Sequence, residues 1–214
     1  MIIPATMTAD FLDISGWQWP IDAVAMAERV DTVWVRSAIR TMKIDDYWWR
    51  FQEELREAGV RVNTYAVWDS RFSGAGHWLN LKRALEMCPV GDRHHCEIAI
   101  DVEDSVRRTR AQIEQMRILF EESSMWNGRP SWCYTSTGLW NTWANYGEVS
   151  WAKDYPLWAI DYRKGSIDRG YPSWPLDWED WSAWQYSADG NQMGQYYGTV
   201  NNVSIDLNYW NNIV

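Results

Sequence analysis

The stretch Glu97-Ile-Ala-Ile-Asp-Val-Glu103 places two carboxylates two residues apart behind a short apolar run. Alternate side chains of a β-strand share a face, so Ala99, Asp101 and Glu103 fall on one side and Ile98, Ile100 and Val102 on the other. The second face is suited to pack under helices, and the first ends in acids. In a strand the two acids are roughly 7 Å apart at Cα, two rises of about 3.3 Å each. Carboxylates that close do not both ionise freely; one pKa rises, and that group can hold a proton near neutrality as a general acid does. A plainer use of the same residues is capping, because Asp104 and Ser105 are good N-cap types ahead of a helix starting at Val106.

Working outward, strand and helix patterns alternate. Phe11-Leu-Asp13-Ile-Ser15 reads as a strand with Asp13 and Ser15 opposite Leu12 and Ile14, and Pro20 opens a helix running to Arg29. Thr32–Arg36 is a second strand. From Ile44 to Ala58 the apolar positions Ile44, Tyr47, Trp48, Phe51, Leu55 and Ala58 keep helical spacing, and Gly59 supplies the stop. Strand Val60–Val67, a helix over 78–88, the acid-bearing strand 97–103, a helix Val106–Glu122, strand Pro130–Tyr134 and a short helix Thr137–Trp143 follow. Beyond about Asn145 the chain is rich in Trp, Tyr, Asn, Gly and Pro and holds no convincing helix; its strand candidates are Leu157–Asp161, Ser182–Tyr186 and Val203–Asn208. Helical crossovers between strands imply parallel pairing, and eight strands suffice to close a barrel. The expectation is an α/β fold: one TIM-like β/α barrel over residues 1–214, with about five helices and a nearly helix-free last third. No internal repeat, low-complexity tract or linker interrupts it.

In such a barrel the C-terminal rim of the strands carries the active site. Asp13, Asp101, Glu103 and Asp206 all fall at or near strand ends on that rim. The chain holds 18 Trp and 11 Tyr against 4 Phe. Their flat apolar faces with a polar edge suit sugar rings, while more than half are expected to fill the core. Acids on one rim together with abundant aromatics point to carbohydrate chemistry.

The net charge of −9 leaves no basic stripe for nucleic acid and disfavours capture by an anionic membrane or wall. Cys88, Cys96 and Cys133 share no metal-ligand or redox spacing and read as free thiols from a reducing compartment. His77, His94 and His95 read as surface residues rather than metal ligands. Met1–Asp10 lacks the pattern of a signal peptide, and no stretch is long enough to span a membrane.

The motifs resemble glycoside hydrolase family 25, the lysozymes of phage endolysins and bacterial autolysins, over nearly the whole chain. Leu12-Asp13-Ile-Ser15-Gly-Trp17-Gln18 is similar to the family's opening Asp-Val-Ser-x-Trp-Gln, and Asp45 to Gly59 followed by Tyr65 is similar to its helix and third strand. Asp101-Val-Glu103 resembles its Asp-x-Glu. Arg129-Pro130 with Cys133-Tyr134-Thr135-Ser136 resembles Arg-Pro-x-x-Tyr-Thr, and Pro156-Leu-Trp158 through Tyr162 resembles Pro-Leu-Trp-x-x-x-Tyr. Trp184-Gln185-Tyr186-Ser187, Gly194 and Asp206-Leu-Asn208 resemble the closing Trp-Gln-Tyr … Gly … Asp-x-Asn.

The resemblance implies hydrolysis of the β-1,4 bond between N-acetylmuramic acid and N-acetylglucosamine in peptidoglycan, without cofactor or metal. Glu103 would be the general acid/base. Asp101 would orient the substrate's 2-acetamido group, which serves as nucleophile, and Asp13 and Asp206 would complete an acidic floor. Tyr65, Trp158, Tyr162 and Trp184, with Gln185 and Tyr134, would bind the sugars. Two departures stand out: Tyr65 is followed by Ala66-Val67 where the family often has His-Phe, and Arg36-Ser-Ala-Ile-Arg40 replaces Lys-Ala-Thr-Glu-Gly. The implied protein is a monomeric phage or prophage endolysin, made in the cytoplasm without a signal peptide and acting on the wall after release. Two alternatives are a non-catalytic glycan-binding or phage structural module on the same barrel, and a chitinase-like hydrolase, whose longer acid-rich strand motif is absent.

Overall fold

The computed structural model describes residues 9–88, 96–104, 106, 108–163, 170–188, 193–200 and 203–211. Eight strands close into a barrel: β1 (Phe11–Ile14), β2 (Thr32–Ile39), β4 (Arg61–Val67), β5 (Ile98–Asp101), β6 (Trp132–Ser136), β7 (Leu157–Ile160), β8 (Ala183–Ser187) and β9 (Asp206–Trp210). Two-residue β3 (Lys43–Ile44) folds back antiparallel on the end of β2. The sheet order is β1-β9-β8-β7-β6-β5-β4-β2-β3, and pairing of β1 with β2 closes the ring. Pairings from β1 through β2, β4, β5, β6 and β7 to β8 are parallel. Helices α1 (Ala23–Ala27), α2 (Trp48–Glu57), α3 (Gly74–Glu86), α4 (Arg110–Asn127) and α5 (Thr137–Ala144) cross between strands on the outside.

The expected barrel is therefore present, with one change of sense. β9 runs antiparallel to both β8 and β1. Asp206 is thus not at the C-terminal end of its strand. It opens β9, and because β9 descends from the rim, its first residue sits opposite Asp13. The described residues between β8 and β9 hold no crossover helix of the kind that returns a chain for parallel pairing.

Several boundaries moved for local reasons. The helix expected from Ile44 begins at Trp48, because Lys43 and Ile44 join the β2 hairpin. Helix α3 begins at Gly74, where the Ser73 hydroxyl accepts from the Gly76 N–H. Helix α4 starts at Arg110, where Thr109 Oγ1 accepts from Gln112 N–H, so Asp104 does not cap it. It stops at Gly128, whose φ of 70° suits glycine. Strand β5 ends at Asp101, leaving Glu103 on the loop beyond it.

Alternation divides the core. Ile98, Ile100 and Val102 pack outward under the helices, as do Leu12, Ile14, Trp184 and Tyr186. Phe11, Trp34, Ala99, Tyr134, Trp158 and Ala183 fill the barrel interior. Phe11 stacks on Trp210 with ring centroids 4.0 Å apart, and Trp34 packs against Trp158 at 5.2 Å, so aromatics plug the lower barrel. Ten of the 18 tryptophans but four of the 11 tyrosines are buried. The tryptophans are thus largely core, whereas most tyrosines keep an edge in solvent. His77 departs from its expected surface position: it is buried on α3, with Nε2 3.1 Å from the Asp69 carbonyl oxygen. His94 and His95 lie outside the described residues. All three cysteines are buried free thiols. Among the described residues no helix is long and apolar enough to cross a membrane.

Candidate active site

The upper mouth of the barrel encloses a groove of about 380 Å³ lined by Asp13, Asp101, Glu103 and Asp206. A wider hollow of about 850 Å³ lies between the strand starts at the opposite end, where Asp10 and Asp31 mix with Arg56 and Arg61. Size favours the lower hollow, but converging like charges at the upper mouth are what acid–base chemistry requires.

Asp13 is the anchor of the site. Inward-facing on β1 and buried, it accepts two hydrogen bonds on Oδ2, from Gln185 Nε2 at 2.9 Å and Asn208 Nδ2 at 2.8 Å. Gln185 is oriented in turn by the Tyr134 hydroxyl, which donates to its Oε1 at 2.7 Å, and by the Tyr162 hydroxyl on the same oxygen. Asn208 is oriented by Trp158, whose indole N–H donates to Oδ1 at 2.9 Å. Each amide thus has its oxygen engaged by aromatic donors, which turns its nitrogen toward Asp13. Burial raises the pKa of Asp13, and these hydrogen bonds oppose the rise by favouring its ionised form.

The other three acids share this crowded field. Asp206 is pushed up to about 10 by burial, then by the charge of Asp13 and a hydrogen bond with it. Asp101 is raised well above the carboxylate range by burial first and by Glu103 and Asp13 next. Its Oδ1 is buried without a hydrogen-bond partner among the described residues. Glu103 stands exposed at the mouth, and the surrounding wall and the charge of Asp13 raise its pKa, while a hydrogen bond with Asp101 lowers it. The pair thus shares a proton held on the deeper Asp101, which donates toward Glu103. The sequence leads to one raised pKa in the pair through mutual repulsion; here both are raised, and Asp101 donates to Glu103 and lowers its pKa instead of repelling it.

Glu103 lies beyond the last ladder pair, so its loop is held otherwise. Val102 N–H donates to the Tyr134 carbonyl at 2.8 Å, and Thr135 Oγ1 donates to the Val102 carbonyl at 2.9 Å. On the other side the Asp104 carboxylate accepts from the backbone N–H of Ser70 and, at 2.7 Å, from that of Val106. Asp161 belongs to a different kind of network. Arg163 grips it through Nε and Nη2, each at 2.8 Å, and its pKa falls to about 2 chiefly through that grip. It forms an ion pair with Arg163 apart from the four acids of the mouth.

The family model for glycosyl hydrolases family 25 matches residues 12–195. The chain belongs to this family. It is a glycoside hydrolase. Solved structures show the same fold at low identity. A bacterial lysozyme from Streptomyces coelicolor has a TM-score of 0.77 at 18% identity, covering 97% of this chain and 94% of that one. A family 25 glycosyl hydrolase from Bacillus anthracis has 0.76 at 16%, covering 99% and 92%. The catalytic domain of an endolysin from a bacteriophage of Listeria monocytogenes has 0.65 at 18%, covering 98% and 96%. No curated protein sequence matches the chain.

Within this family 25 groove the structure gathers most of the expected residues. Tyr65, Tyr134 and Trp158 line it beside the four acids. Gln185 and Tyr162 reach it through the hydrogen bonds around Asp13. Trp184 does not. It is wholly buried in the outer core, its indole N–H donating to the Asp161 carbonyl at 2.8 Å. Neighbouring residues on a strand face opposite ways, so an inward Gln185 requires an outward Trp184.

Four residues were missed as site members. Asn208 was legible only as part of the closing motif. Arg36 faces inward two places after Trp34 and could have been found by alternation along β2; it pairs with buried Asp45 at 2.8 Å. Trp17 and Gln18 sit on a 3-10 turn at the groove rim, where Trp17 is 77% exposed. That turn is held by Gly16 N–H donating to Asp45 Oδ2 at 3.1 Å.

Proposed function

We propose that the chain is a peptidoglycan hydrolase that cleaves the β-1,4 bond between N-acetylmuramic acid and N-acetylglucosamine, with Glu103 as general acid/base. The observation that carries this reading is the pairing of an exposed, proton-competent Glu103 with a buried Asp101 whose Oδ1 has no partner among the described residues. In this scheme substrate binding moves the shared proton from Asp101 to Glu103, and the Asp101 carboxylate accepts the N–H of the substrate's 2-acetamido group and aligns the amide oxygen on the anomeric carbon. That oxygen forms the new bond while Glu103 protonates the departing glycosidic oxygen. Glu103, now a carboxylate, takes a proton from the water that opens the cyclic intermediate. This is the substrate-assisted exception to the two-carboxylate scheme. Asp13 and the protonated Asp206 form the acidic floor beneath the sugar, and the half-buried Tyr65 and exposed Trp17 offer ring faces at the groove. Membership of family 25 and likeness to structures described as lysozymes and endolysins support the reading. The reading extends to a phage or prophage origin, with action on the wall after release.

Digestion of purified peptidoglycan followed by mass spectrometry tests the bond assignment. New reducing ends on N-acetylmuramic acid are expected. Reducing ends on N-acetylglucosamine would change the enzyme class, and binding without release would favour a glycan-binding module.

A further inference from the structure

The protein is strongly acidic, and so is its groove, yet a stemmed peptidoglycan strand is itself anionic through the carboxylates of its peptides. Something local must offset that repulsion. Two arginines stand beside the groove. At the end of β2, Arg40 has a φ of 59°, the one positive value at a non-glycine position among the described residues. A side chain adopts that backbone only where the surroundings impose it. Here they do. Arg40 N–H donates to the Val67 carbonyl at 3.1 Å. The buried Asn80 of α3 donates through Nδ2 to the carbonyls of Arg40 at 3.1 Å and Lys43 at 2.9 Å.

The turn so built directs Arg40 onto Asp69, with Nε 2.8 Å from Oδ2. Arg71 reaches the same carboxylate through Nε at 2.9 Å and Nη2 at 2.6 Å. Asp69 is buried and held ionised, its pKa lowered to about 2 mainly by Arg71. One buried carboxylate thus carries two guanidinium groups whose side chains remain 55% and 42% exposed. The nearby Asp104 carboxylate is occupied by the N–H groups of Ser70 and Val106. The position is adjacent to the chemistry: Val67 lines the groove and pairs with Asp101, and Trp68 N–H donates to the Asp101 carbonyl at 2.9 Å.

We propose that Arg40 and Arg71, splayed from Asp69, form an anion subsite at the β2–β4 edge of the groove that binds a carboxylate on the peptide stem of the substrate. The assignment rests on the peptidoglycan reading above. Guanidinium groups recognise planar carboxylates through paired N–H donors, and their prior orientation by Asp69 reduces the ordering required on binding.

The test uses Arg40→Gly and Arg71→Gln with peptidoglycan freed of phosphate-bearing polymers, either carrying its peptide stems or stripped of them by an amidase. Glycine suits the left-handed backbone, so Arg40→Gly should keep the fold, which thermal unfolding checks. The wild type is expected to show the lower KM on the stemmed substrate. Each variant should narrow that preference about fivefold, within the range of one exposed charge-assisted hydrogen bond, and Arg40→Lys should restore part of it. A KM ratio that is the same in wild type and variants overturns the subsite. So does a variant effect seen only when phosphate polymers are left in place. Wild type that releases fragments from neither substrate would instead overturn the peptidoglycan reading itself.

Discussion

Replacing Asn208 by Ala tests how the acidic floor is held. Asn208 is wholly buried and bridges two groups: its amide donates to Asp13 at 2.8 Å and accepts from the Trp158 indole at 2.9 Å. Alanine removes a hydrogen bond to a charged group, typically about 1.5–3 kcal/mol, and orphans a buried donor, about 1–3 kcal/mol. Asp13 keeps Gln185, so the lower half of each range applies, giving about 3 kcal/mol in all. For a chain of this size that corresponds to a fall in Tm of about 6–12 °C. The pH dependence has a definite sign. Asn208 lowers the pKa of Asp13, so it stabilises the ionised form. Its contribution to folding is full above the native pKa of Asp13 and fades as pH falls through that value. Urea unfolding at pH 8 and pH 4 should therefore show a larger deficit at pH 8. A loss under about 1 kcal/mol, or an equal loss at both pH values, would refute the bridging role.

Two further substitutions probe the groove. In the folded state Asp206 holds its proton to about pH 10, far above an unfolded aspartate, so wild-type stability falls as pH rises from about 4 toward 10. Asp206→Asn should flatten that slope and be the more stable protein at pH 9, although less active; parallel curves in thermal unfolding would contradict the raised pKa. Trp17→Ala removes a ring that is 77% exposed, so stability should change by less than about 0.5 kcal/mol. If the ring stacks on a sugar, KM rises about three- to tenfold, and an unchanged KM would remove Trp17 from the substrate path.

The barrel was legible because its strands carry a strict inside–outside alternation. Ala99 and Asp101 turn inward and Ile98, Ile100 and Val102 outward, as period-two reading requires. The reversal of β9 was not legible, since an antiparallel strand has the same alternation as a parallel one and direction is set by the connection. Asp206 was still placed on the correct rim, because first residue down and last residue up are neighbours across β1–β9. Trp184 was misplaced because its motif neighbour Gln185 was assigned to the site at the same time, and adjacent strand residues cannot both face inward. The bonds that organise the site, Asn208 to Asp13 and Asp45 to Gly16, span 195 and 29 residues. Such pairings depend on closure of the barrel, which local pattern does not encode.

The most direct test of the central claim is the rate of peptidoglycan cleavage by Glu103→Gln beside wild type, with glycan binding and thermal unfolding measured on the same samples. Glutamine keeps the shape of the side chain and its place at the mouth but has no proton to transfer. The account predicts loss of hydrolysis, by at least about the 10²-fold that general acid catalysis contributes, with folding and glycan binding intact. Substantial residual hydrolysis by a folded Glu103→Gln protein would contradict the assignment of Glu103 as the catalytic acid.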